Sequence, residues 1–411
     1  MSDTIKRITI EGFKSIRKLE DFELRPLNVL IGANGSGKSN FVEFFRLLRE
    51  LVQQRLRVTI GQAGGPDACL HFGLKVTREV VGRVYFRGNY GYEFTLVPAS
   101  DGGLVFKDET VVFADETVTL LDRKDRRVSM GSGHYEAKLK DQVAAALGWS
   151  GTAREVVPAW VSNRLANMRV YQYHFHDTSP EAGVRQQRAI NDNEFLRPDA
   201  ENLAPVLYRI QKTNPSDYAR IRDIVRLAAP FFDDFKLRPD PLNEEQIRLE
   251  WLQKGSDQLF LTSELSDGTL RFICLATALL QPSPPATVLF DEPELGLHPF
   301  ALTLLANLFQ QATKRTSQQV IVSTQSAQLV DEFEPEDVIV VERTQGQSVF
   351  RRLESAKLSG WLEEYTLGEL WQKNVFGGGP RNEAMPIMPD DDGGSPGVPE
   401  AKGMKTGDER L

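Results

Sequence analysis

The sequence predicts an α/β fold, and three observations carry that expectation. An apolar strand pattern at residues 27–31 runs directly into a glycine-rich loop, Gly32-Ala-Asn-Gly-Ser-Gly-Lys-Ser39, and then into an amphipathic helical pattern. Residues 270–342 alternate helical and strand patterns, the mark of a largely parallel sheet with helices on its faces. Between these stretches come short strand patterns broken by glycine and aspartate, read as an antiparallel β lobe, and then a mainly helical insertion.

Taken in order, residues 5–10 alternate as a first strand, and residues 27–31 form the strand that feeds the loop. From Asn40 the apolar positions become Phe41, Phe44, Phe45, Leu47, Leu48 and Leu51, one side of a helix. Gly-Gln-Ala-Gly-Gly-Pro at 61–66 breaks the pattern, and strands are expected at 70–76, 82–86, 90–97 and 117–121. Tyr85, Phe86, Tyr90, Tyr92 and Phe94 in these strands read as packing residues rather than base-stacking platforms. Residues 135–168 read as largely helical, 169–175 as extended, and 203–210 and 218–227 as helices, with Asn202 or Asp199 and Ser216 available as caps. A strand is expected at 247–252, and no heptad repeat runs through this region. The α/β stretch follows, with helices at 270–280 and 299–311 and strands at 287–290, 319–323 and 338–342. From Gly377 the chain is rich in glycine, proline and aspartate and reads as a flexible tail. The expected division is 1–60, first part of the core; 61–134, β lobe; 135–260, inserted mainly helical lobe; 261–376, second part of the core; and 377–411, tail.

Bulk properties bound the function. A chain of 411 residues, 41% hydrophobic, has room for two or three units around a sizeable core. Its formal net charge of -8 argues against a globally basic nucleic-acid coat while leaving room for a local positive surface. Cys69 and Cys274 lie far apart and form no C-x-x-C pair, which disfavours a disulfide scaffold or cysteine zinc site. The start, MSDTIKRITIEGF, lacks the apolar segment of a signal peptide, and no later stretch is long and apolar enough to span a membrane. A soluble, cytoplasmic protein is the expectation.

The loop carries the chemistry. Gly32, Gly37, Lys38 and Ser39 meet the spacing G-x-x-x-x-G-K-S in full. Glycines let successive N–H groups point at phosphate oxygens, and the following helix adds its unpaired amino-terminal donors. Asn34, Gly35, Ser36, Gly37, Lys38, Ser39 and the adjoining Asn40 are therefore the expected nucleotide contacts. Lys38 would bridge the terminal phosphates of ATP, and Ser39 would place a hydroxyl on Mg²⁺. At the end of the strand at 287–290, Asp291 would orient Mg²⁺ and Glu292 would polarise the attacking water. Leu265-Ser-Asp-Gly-Thr269 taken alone is a common helix start.

With the loop at 32–39, LSDGT at 265–269, ATVLFDEPELGLHP at 286–299 and IVSTQS at 321–326 in this order, the chain resembles an ABC-type ATPase head of the RecF/SMC class. That class lies within the broad AAA-family ATPases, which include the heads of OLD nucleases, and the chain is particularly similar to uncharacterised bacterial predicted ATPases. The resemblance implies a P-loop NTPase fold with an ABC-type mixed sheet. It also implies that Ser266 and Gly268 of one subunit complete the ATP site of the other, in a head-to-tail homodimer closed by ATP and released by hydrolysis. Gln325 stands where many such heads carry a histidine next to the terminal phosphate. Glutamine can hydrogen-bond to phosphate or water but cannot become cationic, so slow turnover is expected.

A nucleotide-contacting glutamine is also implied where the helical lobe joins the core, and Gln172 is the candidate. For His174, His176 and Asp177 three readings stay open: structural hydrogen bonding, a subunit or nucleotide boundary, and a metal site. His298 is either part of the loop linking the two nucleotide sites or a polar residue opening a helix. Trp361, Tyr365 and Trp371 read as docking anchors. The middle region lacks the length and heptads of an SMC rod, and the chain after residue 342 lacks room for a complete nuclease domain. The leading expectation is an ATP-dependent dimer switch acting on DNA or a partner protein, in repair, maintenance or defence. The alternatives are an ATP-binding scaffold with little turnover and an ATPase subunit serving a separately encoded nuclease or toxin.

Overall fold

The computed structural model describes residues 4–86, 90–113, 126–141, 153–173 and 183–379. The chain opens with the hairpin β1 (Ile5–Phe13) and β2 (Ile16–Glu23), followed by β3 (Leu27–Ile31), α1 (Lys38–Val52), α2 (Leu56–Gln62) and α3 (Pro66–Cys69). Strands β4 (Val80–Phe86), β5 (Gly91–Pro98), β6 (Leu104–Phe113) and β7 (Arg126–Gly131) come next, then α4 (Ala153–Ala166) and β8 (Arg169–Tyr171). The middle region continues with β9 (Arg188–Ala189), α5 (Leu203–Thr213), α6 (Pro215–Ala228), β10 (Phe232–Lys236), β11 (Pro239–Asp240), β12 (Asn243–Ile247), β13 (Glu250–Gln253) and β14 (Leu259–Leu261). The last part holds α7 (Asp267–Leu280), β15 (Thr287–Asp291), α8 (Pro299–Arg315), β16 (Gln319–Ser323), α9 (Ala327–Val330), β17 (Val338–Thr344), β18 (Gln347–Arg352), α10 (Ser355–Leu362) and α11 (Leu367–Gln372).

These elements build two six-stranded sheets. One, in the order β2-β1-β4-β5-β6-β7, is antiparallel throughout. The other, in the order β18-β17-β3-β16-β15-β8, is parallel from β17 to β8, with β18 added antiparallel at its edge. Strands β3, β15 and β16 are buried along their whole length, because both faces of a parallel sheet are covered. The period of two then divides their side chains between two cores. Val29, Ile31, Val288, Phe290, Val320 and Val322 pack with α7, α8 and the middle region. Leu30, Leu289, Ile321, Ile339 and Val341 pack with α1 and the antiparallel sheet. The mixed α/β fold, with its antiparallel and mixed sheets, is the one the sequence predicts.

Of the aromatic residues in the lobe, Phe86, Tyr92 and Phe94 are buried, and Phe94 stacks on Phe44 of α1 with centroids 6.2 Å apart. Residues 70–76 do not form the expected strand. Leu70 makes one bridge to Phe13, and the chain then turns at Phe72 and Gly73, both at positive φ, while the Leu74 N–H donates to Asp67 Oδ1 at 2.7 Å. The stretch from 135 is not continuously helical either. Buried Glu109 draws in the Tyr92 hydroxyl, His134 Nε2 and the N–H groups of Lys138 and Leu139, which holds an irregular segment against the sheet. Expected strand 247–252 divides into β12 and β13, which lie in different three-stranded sheets. Asn202 does not cap α5; its side chain pins the preceding loop, accepting from the Arg197 N–H and donating to the carbonyls of Asp192 and Phe195. Helix α6 starts at Pro215, so Ser216 lies inside it. The expected strand at 117–121 and the residues His174, His176 and Asp177 lie outside the described residues. No helix among the described residues is long and apolar enough to cross a membrane.

Candidate functional site

The carboxyl ends of the parallel strands β3, β15, β16 and β8 bring the candidate residues together, the general location of ligand sites in such sheets. From β3 the chain enters the loop at Gly32 and leaves it into α1, whose N-cap Gly37 has φ 111° and provides no side-chain cap. The first-turn N–H groups of α1 thus have no side-chain acceptor of the capping kind, as an anion-binding helix start requires. A Cβ at Gly37 would lie 1.9 Å from Ser348 Oγ and 2.7 Å from Ser15 Oγ, so only glycine fits there.

Those two serines form a buttress behind the loop. Ser15 Oγ and Ser348 Oγ lie 2.6 Å apart, Ser348 Oγ donates to the Ser36 carbonyl at 2.6 Å, and Arg343 at the end of β17 donates to the Gly35 carbonyl at 3.3 Å. Asn40 turns away from the phosphate side, donating to Ser15 Oγ at 2.6 Å. Asn34, Gly35 and Ser39 are exposed. Lys38 is buried, and its ammonium donates to the carbonyls of Gly32 and Ala33 at 2.7 and 3.2 Å. Burial lowers its proton affinity, while Glu292, Asp291 and Glu294 act in the opposite direction.

Facing the loop from β15, Asp291 is buried and accepts a hydrogen bond from Gln172 Nε2 at 3.3 Å. Gln172, just past β8, in turn accepts from Arg46 of α1. Glu292 sits at φ 47°, a conformation that costs a non-glycine residue energy. Its N–H donates to the Ser323 carbonyl at 2.8 Å, and its carboxylate accepts from the Gln325 side-chain amide. Glu294 accepts the Gln325 N–H at 2.7 Å, and burial pushes its carboxyl above the usual range.

Ser266 and Gly268 lie at the start of α7, against the loop that follows β15. Ser266 is exposed at the N-cap of α7 and accepts from the Thr269 N–H at 3.2 Å. Gly268 packs against the loop after β15 so closely that a Cβ would sit 2.0 Å from the Gly296 carbonyl oxygen. Arg271, buried in α7, ties the same two segments by donating to the Leu295 carbonyl and, at 2.8 Å, to that of Tyr173. His298 is the N-cap of α8, with Nδ1 accepting from the Phe300 N–H at 3.2 Å.

The residues fit Mg²⁺ and a phosphate-rich ligand. Ser36 Oγ inside the loop and Glu294 Oε2 beside the acids are buried without a hydrogen-bond partner, and Gly35 faces open space. Among the described residues no group of three or more His, Cys, Asp or Glu could hold a metal by itself. A Mg²⁺ ion coordinated by one carboxylate, one hydroxyl and substrate phosphates needs no such group.

Two family models match on either side of the β lobe. One, described as "AAA ATPase domain", covers residues 4–64, and the other, described as "AAA domain, putative AbiEii toxin, Type IV TA system", covers residues 162–331. Among solved structures, an Smc head bound to the C-winged helix domain of ScpA aligns over 86% of this chain and 99% of its own, with TM-score 0.53 and 17% identity. An Smc head with an extended coiled coil, bound to the C-terminal domain of ScpA derived from Pyrococcus furiosus, aligns over 88% and 98%, with TM-score 0.53 and 16% identity. The chain has the fold of an Smc head, and two stretches of it match AAA ATPase family models. A curated relative, Structural maintenance of chromosomes protein 3 of Arabidopsis thaliana, is 45% identical over 56 residues; the match spans 13% of this chain and 5% of that protein.

In this head, Glu294, Arg343, Ser15, Ser348 and Arg46 escaped the reading of the sequence. Glu294 is the one with an available signal, as the next acid after Asp291 and Glu292 in the same loop. Ser15, Ser348 and Arg343 reach the loop from distant positions, and Arg46 acts through Gln172, 126 positions away. Two predictions follow from the loop packing. Gly268→Ala forces the Gly296 segment away and should lower stability by about 1–3 kcal/mol, read as a lower Tm. Glu294→Gln should raise Tm at neutral pH and change it little in acid. The folded-state pKa of Glu294 is raised, so its favourable contribution is present below the unfolded value and is lost as pH rises through the folded value. A variant whose pH–stability curve above 4.5 matches that of the unmodified head would contradict this assignment.

Proposed function

We propose that the head binds ATP with Mg²⁺ and hydrolyses it to ADP and phosphate, as one half of a homodimer in which ATP lies between subunits. The convergence of Lys38, Asp291, Glu292 and Gln325 at the carboxyl ends of the parallel strands supports this reading. Loop N–H groups and Lys38 hold the terminal phosphates, and Ser39 with Asp291 holds the metal. Mg²⁺, when bound, supplies neutralisation of phosphate charge. Glu292 takes a proton from the attacking water, and Gln172 beside Asp291 keeps the metal-side carboxylate aligned. Gln325 holds Glu292 without adding positive charge, so turnover is slow.

Ser266 and Gly268 complete the partner's site in this proposal. Ser266 is exposed and its hydrogen bonds close within its own turn, leaving the helix start accessible to a second subunit. The chemistry sits mainly in the two core parts, residues 1–60 and 261–376, with Gln172 reaching in from 135–260; 61–134 and 135–260 are lobes and 377–411 is a tail. The solved Smc heads in the comparison carry a bound ScpA domain, and by analogy the dimer switch acts in the cytoplasm on a partner, a nuclease or effector, or on DNA in repair, maintenance or defence. ATP turnover measured with and without duplex DNA, on samples of recorded mass, tests this. Stimulation together with salt-dependent DNA binding supports the DNA role. Unchanged turnover and no binding leave the protein partner, and no turnover in any sample favours an ATP-binding scaffold.

A further inference from the structure

Asn40 follows Lys38 and Ser39 directly, yet its side chain is bound to the buttress behind the phosphate loop. Its Nδ2 donates to Ser15 Oγ at 2.6 Å, the hydroxyl oxygens of Ser15 and Ser348 lie 2.6 Å apart, and Ser348 Oγ donates to the Ser36 carbonyl at 2.6 Å. Ser15 sits in the turn between β1 and β2, Ser348 lies in β18 and Asn40 in α1, so the three side chains meet only in the folded head. The Ser348 N–H also donates to the Ser15 carbonyl at 2.7 Å, which ties the first two segments together.

Counting hydrogens fixes the direction of this chain. A carbonyl only accepts, so Ser348 gives its one hydroxyl hydrogen to Ser36. The contact between the two hydroxyls then needs the hydrogen of Ser15, and Ser15 has none left for Asn40. Asn40 must therefore present its NH2 group to Ser15, with its amide oxygen turned elsewhere. The hydrogen bonds run one way, from Asn40 to Ser15 to Ser348 to the Ser36 carbonyl. Ser15 and Ser348 are only 7% and 2% exposed, so water does not readily replace a lost link.

The last link bears on the loop. In a trans peptide the C=O and the following N–H point in opposite directions. Holding the Ser36 carbonyl back against Ser348 thus turns the Gly37 N–H away from the buttress, at the start of α1, where an anion would meet it. The loop is seated directly on the chain, since a Cβ on Gly37 would lie 1.9 Å from Ser348 Oγ.

We propose that Asn40, Ser15 and Ser348 are positioning residues for the nucleotide, which act without touching it by aiming the Gly37 N–H at its phosphates. The inference rests on the reading of the loop as an ATP site. Asn40→Asp nearly keeps the shape of the side chain, but an ionised Asp only accepts. Ser15 must then turn its hydrogen to the carboxylate, and the two hydroxyl oxygens face each other without one. Titration of the full chain with a non-hydrolysed MgATP analogue should show affinity about tenfold lower for Asn40→Asp and for Ser348→Ala alike. Turnover at saturating MgATP should stay within about twofold, because Lys38, Asp291 and Glu292 are unchanged. In a head already carrying Ser348→Ala, adding Asn40→Asp should weaken binding less than about twofold further, since the hydrogen of Ser15 is no longer contested. If Ser348→Ala does not unfold cooperatively, Ser15→Ala breaks the chain at its middle link and takes its place. An equal loss from Asn40→Asp in both backgrounds assigns the effect to the added charge or to direct contact with the ligand, and overturns the chain. Binding that no single variant weakens overturns it too. A head that binds no MgATP at all sinks the proposed function and this inference with it, a result distinct from either.

Discussion

Lys38→Ala should lower the affinity for MgATP by about 100-fold or more, measured by titration with a non-hydrolysed analogue. The ammonium is buried among loop carbonyls and faces three acids, Glu292, Asp291 and Glu294. Those acids offset part of the penalty that burial imposes on the charged form, so a cation is held at the point where phosphate charge is expected. Hydrogen bonds to charged groups contribute about 1.5–3 kcal/mol each, and two of them correspond to a loss of this size. Truncation also leaves the Gly32 and Ala33 carbonyls without that donor, so circular dichroism must show that the fold survives. Retained affinity in a folded variant would remove Lys38 from the site.

Glu292→Gln should behave in the opposite way, keeping MgATP affinity within a few-fold of the unmodified head while turnover falls by roughly 100-fold or more. Glutamine preserves the shape of the side chain and its acceptor toward Gln325, but it cannot take a proton from water. The backbone of Glu292 is already fixed at positive φ by its hydrogen bond to the Ser323 carbonyl, so the change of one atom leaves the loop geometry intact. With hydrolysis blocked and binding retained, the ATP-closed state accumulates. Equal turnover in the two proteins would sink the assignment of Glu292 as the base.

Much of the framework is legible because it is local. Strands β3 and β16 are predicted to the residue, and α7, β15, α8 and β17 differ from expectation only at their ends, since each has a clear period and a loop or cap at its border. The phosphate loop is legible for the same reason, as eight consecutive residues carry its geometry. Less was visible where a distant contact decides. The expected strand at 70–76 becomes a turn because Asp67 and Gly73 close it, and apolar composition alone does not reveal that. The buttress of Ser15 and Ser348 joins residues 333 positions apart, and Arg343 reaches Gly35 across 308. No local pattern marks such partners. Gln172 was named from resemblance without a fixed place, and only the pairing of β8 with β15 sets it beside Asp291.

In the proposed function, the carboxyl ends of the parallel strands form half of an ATP site that a second copy completes. Sedimentation of the Glu292→Gln head with and without MgATP tests it most directly. A 46.2 kDa monomer should shift to twice that mass with MgATP and return to monomer when Ser266→Arg is added, with ATP affinity per chain largely retained. A head that binds MgATP yet keeps the same mass in both conditions would contradict it.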